Sequence, residues 1–162
     1  LRLEFEYLCK KGLLDIDETS FNRLHQALLE DVYAQVVKTT AHSRAVLERL
    51  HERYPMVLVS NFYGNVGVVL KEFGLDYLFN DIIESAAVGI RKPDPRIYKL
   101  GVERLNLRAE EVAVVGDSFY KDIEPAHKIG CHTIWFKGEG WTNQQYDETL
   151  PNQIITDIAQ LL

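Results

Sequence analysis

Apolar residues along this chain fall into two rhythms. In the first part they recur in steps of three and four, at Phe21, Leu24, Leu28, Val32 and Val36, a spacing that lines one face of a helix. Further on come short unbroken runs, Met56-Val57-Leu58-Val59 and Val112-Ala113-Val114-Val115, and a further strand is expected over residues 131–136. Such runs are the pattern of strands buried on both faces of a parallel sheet. Helical stretches alternate with them. The pattern predicts helices over 42–53, over 65–73 with Gly74 as the stop, over 95–105 with a proline in the first turn, and over 121–129 ended by Gly130. A short strand is expected over 81–85, and a strand followed by a helix over 151–162. Ahead of all these, residues 1–8 and 20–38 read as two helices, with Lys10-Lys11-Gly12 stopping the first. This alternation predicts the α/β class, a Rossmann-like parallel sheet flanked by helices.

Composition narrows the picture. At 162 residues and 46% hydrophobic content, the chain is large enough for one core domain and a smaller piece. A formal charge of −6 and scattered lysines argue against a nucleic-acid partner, which a basic face would serve. No apolar run approaches membrane-spanning length, so no membrane partner is expected. Cys9 and Cys131 form neither a disulfide framework nor a metal-ligand spacing, and free thiols suit a cytoplasmic protein.

Candidate chemistry sits where the runs end. Val112-Ala113-Val114-Val115 leads directly into Gly116-Asp117, and Asp122 follows five residues after Asp117. In an α/β sheet, ligands bind beyond the carboxyl ends of the strands, where this turn places both carboxylates. Two acids forced together repel, and a bound cation is the usual remedy; hard oxygen ligands favour Mg²⁺. An Asp-capped helix explains one of the acids equally well. Met56-Val57-Leu58-Val59 ends in Ser60-Asn61, a hydroxyl and backbone N–H groups suited to phosphate, or simply a helix cap. In Val88-Gly89-Ile90-Arg91-Lys92-Pro93-Asp94-Pro95-Arg96-Ile97-Tyr98, the two prolines restrict the residues before them and hold Lys92 in one direction. A lysine so held suits a phosphate or a carboxylate; a solvated loop lysine is the plainer reading.

In this order, Ser60-Asn61, Lys92-Pro93 and Gly116-Asp117 with Asp122 resemble the second, third and fourth motifs of the haloacid dehalogenase superfamily, in its helical-cap branch. The resemblance runs over about residues 41–162. It implies a Mg²⁺-assisted aspartate nucleophile that forms an aspartyl-phosphate, which water then cleaves. Ser60 and the Asn61 backbone are then implied to bind the phosphoryl group. Lys92 is implied to neutralise phosphate and nucleophile, Asp117 to bind Mg²⁺ and Asp122 to support the metal site. Phosphoryl transfer asks a protein mainly for positioning and positive charge, which these residues supply.

The family's first motif, which carries the nucleophile, has one lookalike here, Asp15-Ile16-Asp17-Glu18-Thr19. Only Leu13 and Leu14 precede it where a buried strand needs four or five apolar residues. A long helical pattern follows, which Asp17, Thr19 or Ser20 would cap. The expectation is therefore that residues 1–40 are a remnant of the helical cap, that 41–162 are the core domain, and that the nucleophile lies upstream of Leu1. The alternative is a very small, capless enzyme using Asp15. The family's first strand lies mid-sheet, so its loss would leave two open edges for another chain or segment to complete, or for residues 1–7 to fill.

Gly116-Asp117 favours a Mg²⁺ phosphatase of a small phosphorylated metabolite over a dehalogenase; a phosphomutase shares the motifs. A non-catalytic binding protein that kept the fold is the reading from a different class. A signalling receiver domain is rejected, because its acids precede its lysine. His25, His42, His51, His127 and His132 show no ligand pattern, and Trp135 and Trp141 are expected to pack. Phe62 and Tyr63 are placed to touch a leaving group.

Overall fold

The computed structural model describes residues 2–138 and 145–162; Trp141 lies outside them. Contacts divide the chain into two compact units, Leu1–His42 and Ser43–Leu162.

In the first unit, α1 (Arg2–Lys10) ends where the sequence predicts. Gly12 takes φ +66°, and the N–H groups of Gly12 and Leu13 bond back to the carbonyls of Cys9 and Leu8. That pair of bonds satisfies carbonyls a helix end otherwise leaves bare, and glycine adopts the required backbone without strain. Phe5 of α1 packs edge-on against Phe21, their centroids 5.7 Å apart, and His25 stacks on Phe21. The second helix, α2 (Glu18–His51), runs for 34 residues. Here the structure corrects the expectation of separate helices over 20–38 and 42–53. Lys38-Thr39-Thr40-Ala41-His42 contains no glycine or proline to stop a helix, and Thr40 bonds its hydroxyl back to the Val36 carbonyl rather than breaking the turn.

Asp17 is the N-cap of α2. Its carboxylate accepts the Ser20 N–H at 2.8 Å and the Ser20 hydroxyl at 3.0 Å. These bonds hold its pKa below the ordinary 3.8. The cap therefore contributes fully above the ordinary carboxylate range and is lost as pH falls through the lowered value. Circular dichroism should show less helix in Asp17→Ala than in the parent at neutral pH, the difference shrinking in acid. Asp15→Ala should leave helix content unchanged.

Among the described residues the second unit has five strands, all paired in parallel. β1 (Val57–Ser60) pairs with β2 (Asp81–Glu84), and Ser60 lies opposite Glu84. β3 (Ala113–Gly116) pairs with β4 (His132–Phe136), which pairs with β5 (Gln153–Ile155). The helices between them are α3 (Val66–Glu72), the single turn α4 (Ser85–Val88), α5 (Arg96–Leu105) and α6 (Glu124–Lys128). The expected helix over 121–129 opens with a π-type turn at Phe119–Ile123 before α6 begins. β-α alternation and parallel pairing match the predicted class.

Among the described residues the strands form two sheets, β1-β2 and β3-β4-β5, and no ladder joins β1 to β3. One apolar cluster nevertheless underlies both. Ile97 and Tyr98 of α5 pack with Val57, Val59 and Ile83 from the first sheet, with Val114 from the second, with Val112 and Cys131 just ahead of its strands, and with Ala126 of α6. The facing edges of β1 and β3 therefore lie over one helix without a strand between them among the described residues. This corrects the reading of 112–115 as a fully buried run. Val115 is 43% exposed, because burial of a parallel strand needs neighbours on both edges and β3 has one only among the described residues.

Candidate active site

The carboxyl ends of β1 and β3 are tied together by side chains where hydrogen-bonded strands would otherwise do it. Asn61 follows β1. Its amide donates to the Lys92 carbonyl at 3.0 Å, and its side-chain oxygen accepts the Lys92 N–H at 2.9 Å. This two-way bond fixes the Lys92 backbone to the tip of β1. From there the ammonium reaches across to the segment after β3, where Lys92 Nζ donates to Asp122 Oδ1 at 2.8 Å. Both partners are shielded: the side chains of Lys92 and Asp122 are 17% and 4% exposed. In this interior a charged pair is strong only if its remaining valences are also met.

Asp122 meets that condition. The Tyr98 hydroxyl donates to Oδ1 at 2.6 Å, and the Ser118 N–H donates to Oδ2 at 2.9 Å. Asp122 reaches this position because Gly116, at the end of β3, carries no side chain. A Cβ there would lie 2.3 Å from Asp122 Cβ. Burial pushes the Tyr98 phenol far above its ordinary range, helped first by the Asp122 carboxylate and then by Asp117. Tyr98 therefore keeps its proton and donates it to Asp122.

The predicted residues separate into three groups. Asn61, Lys92 and Asp122 are joined by direct bonds. Ser60 ends β1 beside them, half-buried, with the register placing it opposite buried Glu84. Asp117 is exposed, and its backbone carbonyl accepts the Trp135 indole N–H at 3.1 Å. Trp135 otherwise packs with Phe119 and Tyr146. Phe62 belongs to the apolar cluster around α3, while Tyr63 is 86% exposed.

The cation that relieves Asp122 is therefore an ammonium of the chain itself. As for Mg²⁺, Asp117 fits as a direct hard-oxygen ligand, whereas the Asp122 oxygens are taken up by Lys92, Tyr98 and Ser118. No cluster of three or more His, Cys, Asp or Glu side chains suited to a metal occurs among the described residues.

Two residues of the network carry no role in the sequence reading. Tyr98 stands at the end of the Lys-Pro motif, yet nothing local marks its hydroxyl as a partner of Asp122. Glu84 accepts the Gly64 N–H at 2.5 Å and so fastens the loop after Ser60-Asn61 to the tip of β2. A carboxylate ending an apolar strand is the signal that points to it.

No helix of the described residues is long and apolar enough to cross a membrane.

Comparison with known proteins places this arrangement. Residues 7–130 match the family model of haloacid dehalogenase-like hydrolases. The chain is 36% identical over 90 residues to the glyceraldehyde 3-phosphate phosphatase of Pyrococcus furiosus, covering 54% of this chain and 37% of that protein. It is 37% identical over 62 residues to the phosphoserine phosphatase of Thermus thermophilus, covering 38% of this chain and 25% of that protein. The match thus spans well under half the length of each relative. Among solved structures, a haloacid dehalogenase-type phosphatase from Thermococcus onnurineus superposes with a TM-score of 0.66 at 26% identity, over 74% of this chain and 54% of that one. The motif order, the parallel sheet and the extent of the family match together make this chain a member of the haloacid dehalogenase-like hydrolases.

Proposed function

We propose that the protein is a Mg²⁺-dependent phosphatase of a small phosphorylated metabolite that works through an aspartyl-phosphate. One observation carries this reading: Lys92, locked to the tip of β1 by Asn61, holds its ammonium at the tip of β3, beside Asp122. A fixed positive charge at the carboxyl ends of two parallel strands is what a transferring phosphoryl group requires. The phosphatase names of the relatives support the reaction class.

In this reading the Ser60 hydroxyl and the Asn61 N–H bind phosphoryl oxygens, and Lys92 turns its ammonium to them. A carboxylate oxygen attacks phosphorus, the ester P–O bond breaks, and the leaving oxygen departs as the alcohol after taking a proton. Water then attacks phosphorus, releasing inorganic phosphate and restoring the carboxylate. Asp117 is the direct Mg²⁺ ligand, and Asp122 supports the site through Lys92 and the Ser118 N–H. Bound Mg²⁺ supplies further positive charge against the phosphoryl oxygens. The nucleophile belongs on a strand seated between β1 and β3, whose facing edges have no strand partner among the described residues. Asp17 is instead committed to its helix cap. Residues 1–40 are read as a remnant of the helical cap.

Release of inorganic phosphate from p-nitrophenyl phosphate, glyceraldehyde 3-phosphate and phosphoserine tests the proposal. Activity should require Mg²⁺, disappear with a chelator, and fall by about 100-fold or more in Asp117→Asn, on the scale of losing one charge-stabilising group. Hydrolysis indifferent to both chelator and Asp117→Asn overturns it.

A further inference from the structure

The Tyr98 hydroxyl has one proton to give and two acceptors within reach, Asp122 Oδ1 at 2.6 Å and the Lys121 carbonyl at 3.2 Å. The shorter contact, to a charged oxygen, is the stronger. Lys92 donates to that same oxygen at 2.8 Å, while its Nζ lies 5.7 Å from the centroid of the Tyr98 ring. One side chain therefore touches both members of the ion pair, Asp122 through the hydroxyl and Lys92 through the ring. This matters because Asp122 is buried, at 3% exposure, and cannot turn to water if a partner leaves. A buried carboxylate stripped of its donors is costly, so it grips whichever donors remain.

We propose that Tyr98 is a positioning residue that shares Asp122 Oδ1 with Lys92, loosening the hold of Asp122 on the ammonium so that Lys92 can turn to a phosphoryl group. The idea rests on the phosphatase reading of the site. When Lys92 swings away, the Tyr98 hydroxyl and the Ser118 N–H still leave Asp122 with a donor on each oxygen. Without the hydroxyl, Lys92 would be the sole donor to Oδ1 and would be held back from substrate. Tyr98→Phe removes the hydroxyl while keeping the ring over Lys92 and its place in the core with Ile97 and Val112.

The test is calorimetric titration of the full chain with inorganic phosphate, combined with a double-mutant cycle. Tyr98→Phe should weaken phosphate about tenfold, the scale of one hydrogen bond to a charged group. In an Asp122→Asn background, where no carboxylate competes for Lys92, the same change should leave affinity unaltered. A purely structural role predicts the same loss in both backgrounds and overturns the proposal. Should Asp122→Asn fail to fold, Tyr98→Phe alone decides: a lowered melting temperature with unchanged affinity overturns it, and weakened affinity with little change in melting supports it. Lys92→Met separates the two levels of the argument. Affinity that ignores Lys92→Met overturns the phosphate site and this inference together, whereas affinity that depends on Lys92 but ignores Tyr98→Phe overturns only the role of Tyr98.

Discussion

Gly116→Ala is expected to disable the site and destabilise the fold, although it adds one methyl group at a strand end. The new Cβ would fall 2.3 Å from Asp122 Cβ, 2.6 Å from Cγ and 2.8 Å from Oδ2. Carbon atoms pack at roughly 3.5–4.0 Å, so Asp122 or the end of β3 must move by more than an ångström. The obstacle includes a Cβ fixed to the backbone, which no rotation of the side chain relieves. Once Asp122 shifts, its bonds to Lys92, Tyr98 and the Ser118 N–H are lost together. Overpacking of this kind costs about 1–3 kcal/mol, which urea denaturation will read. Misplacing a group in the site by an ångström costs roughly 100-fold in rate, which kcat/KM will read. Gly67→Ala is the matched comparison. Gly67 lies in α3 with nothing within 4 Å of an added Cβ, so alanine should raise stability by about 0.5–1 kcal/mol and leave turnover alone. Equal effects at the two positions would contradict the steric argument.

Lys92→Met carries the second large expectation. It keeps an apolar stem of similar length and removes the ammonium. Asp122 keeps Tyr98 and Ser118 but loses its counter-charge at 2.8 Å. Breaking one side of a buried pair costs about 3–5 kcal/mol, because the remaining charge stays buried. Adding Asp122→Asn should return part of that loss, since the double variant leaves no stranded charge. Turnover follows the opposite pattern. It should fall by about 100- to 1000-fold in Lys92→Met, the range for losing one preorganised donor to a developing anion, and the second substitution should not restore it. Stability recovered without activity is the result that separates the two duties of Lys92. Recovery of both would mean that its only duty is to neutralise Asp122.

Much of this was legible in the residues themselves. Gly12, Gly74 and Gly130 each stop a helix by binding the preceding turn, a signal contained within six residues. The strand ends at Ser60 and Asp117 were likewise readable, because an apolar run followed by a polar turn is local information, and the prolines beside Lys92 mark its loop in the same way. Three features were not. The continuity of α2 depends on the absence of a breaker around Thr40, and a gap in apolar spacing looks the same as a loop. The exposure of Val115 depends on which strand lies beside β3, a matter of topology rather than of the run 112–115. The hydroxyl of Tyr98 finds Asp122, and the amide of Asn61 finds Lys92, only after the sheets have brought distant segments together. Ion-pairing of Asp122 with Lys92 also revises the sequence argument for a cation. Repulsion between two acids calls for a cation, and at Asp122 the chain provides the positive charge itself, while Asp117 is the exposed carboxylate.

The account stands most directly on the identity of the nucleophile. Protein turning over p-nitrophenyl phosphate with Mg²⁺ can be quenched and treated with borohydride, which reduces an acyl phosphate to an alcohol and so converts the phosphorylated aspartate to homoserine. Mass spectrometry then locates it. The account predicts homoserine on a strand that pairs with β1 and β3, and unmodified Asp15, Asp17, Asp117 and Asp122. Homoserine at Asp15 or Asp17, or turnover with no homoserine anywhere, would contradict it.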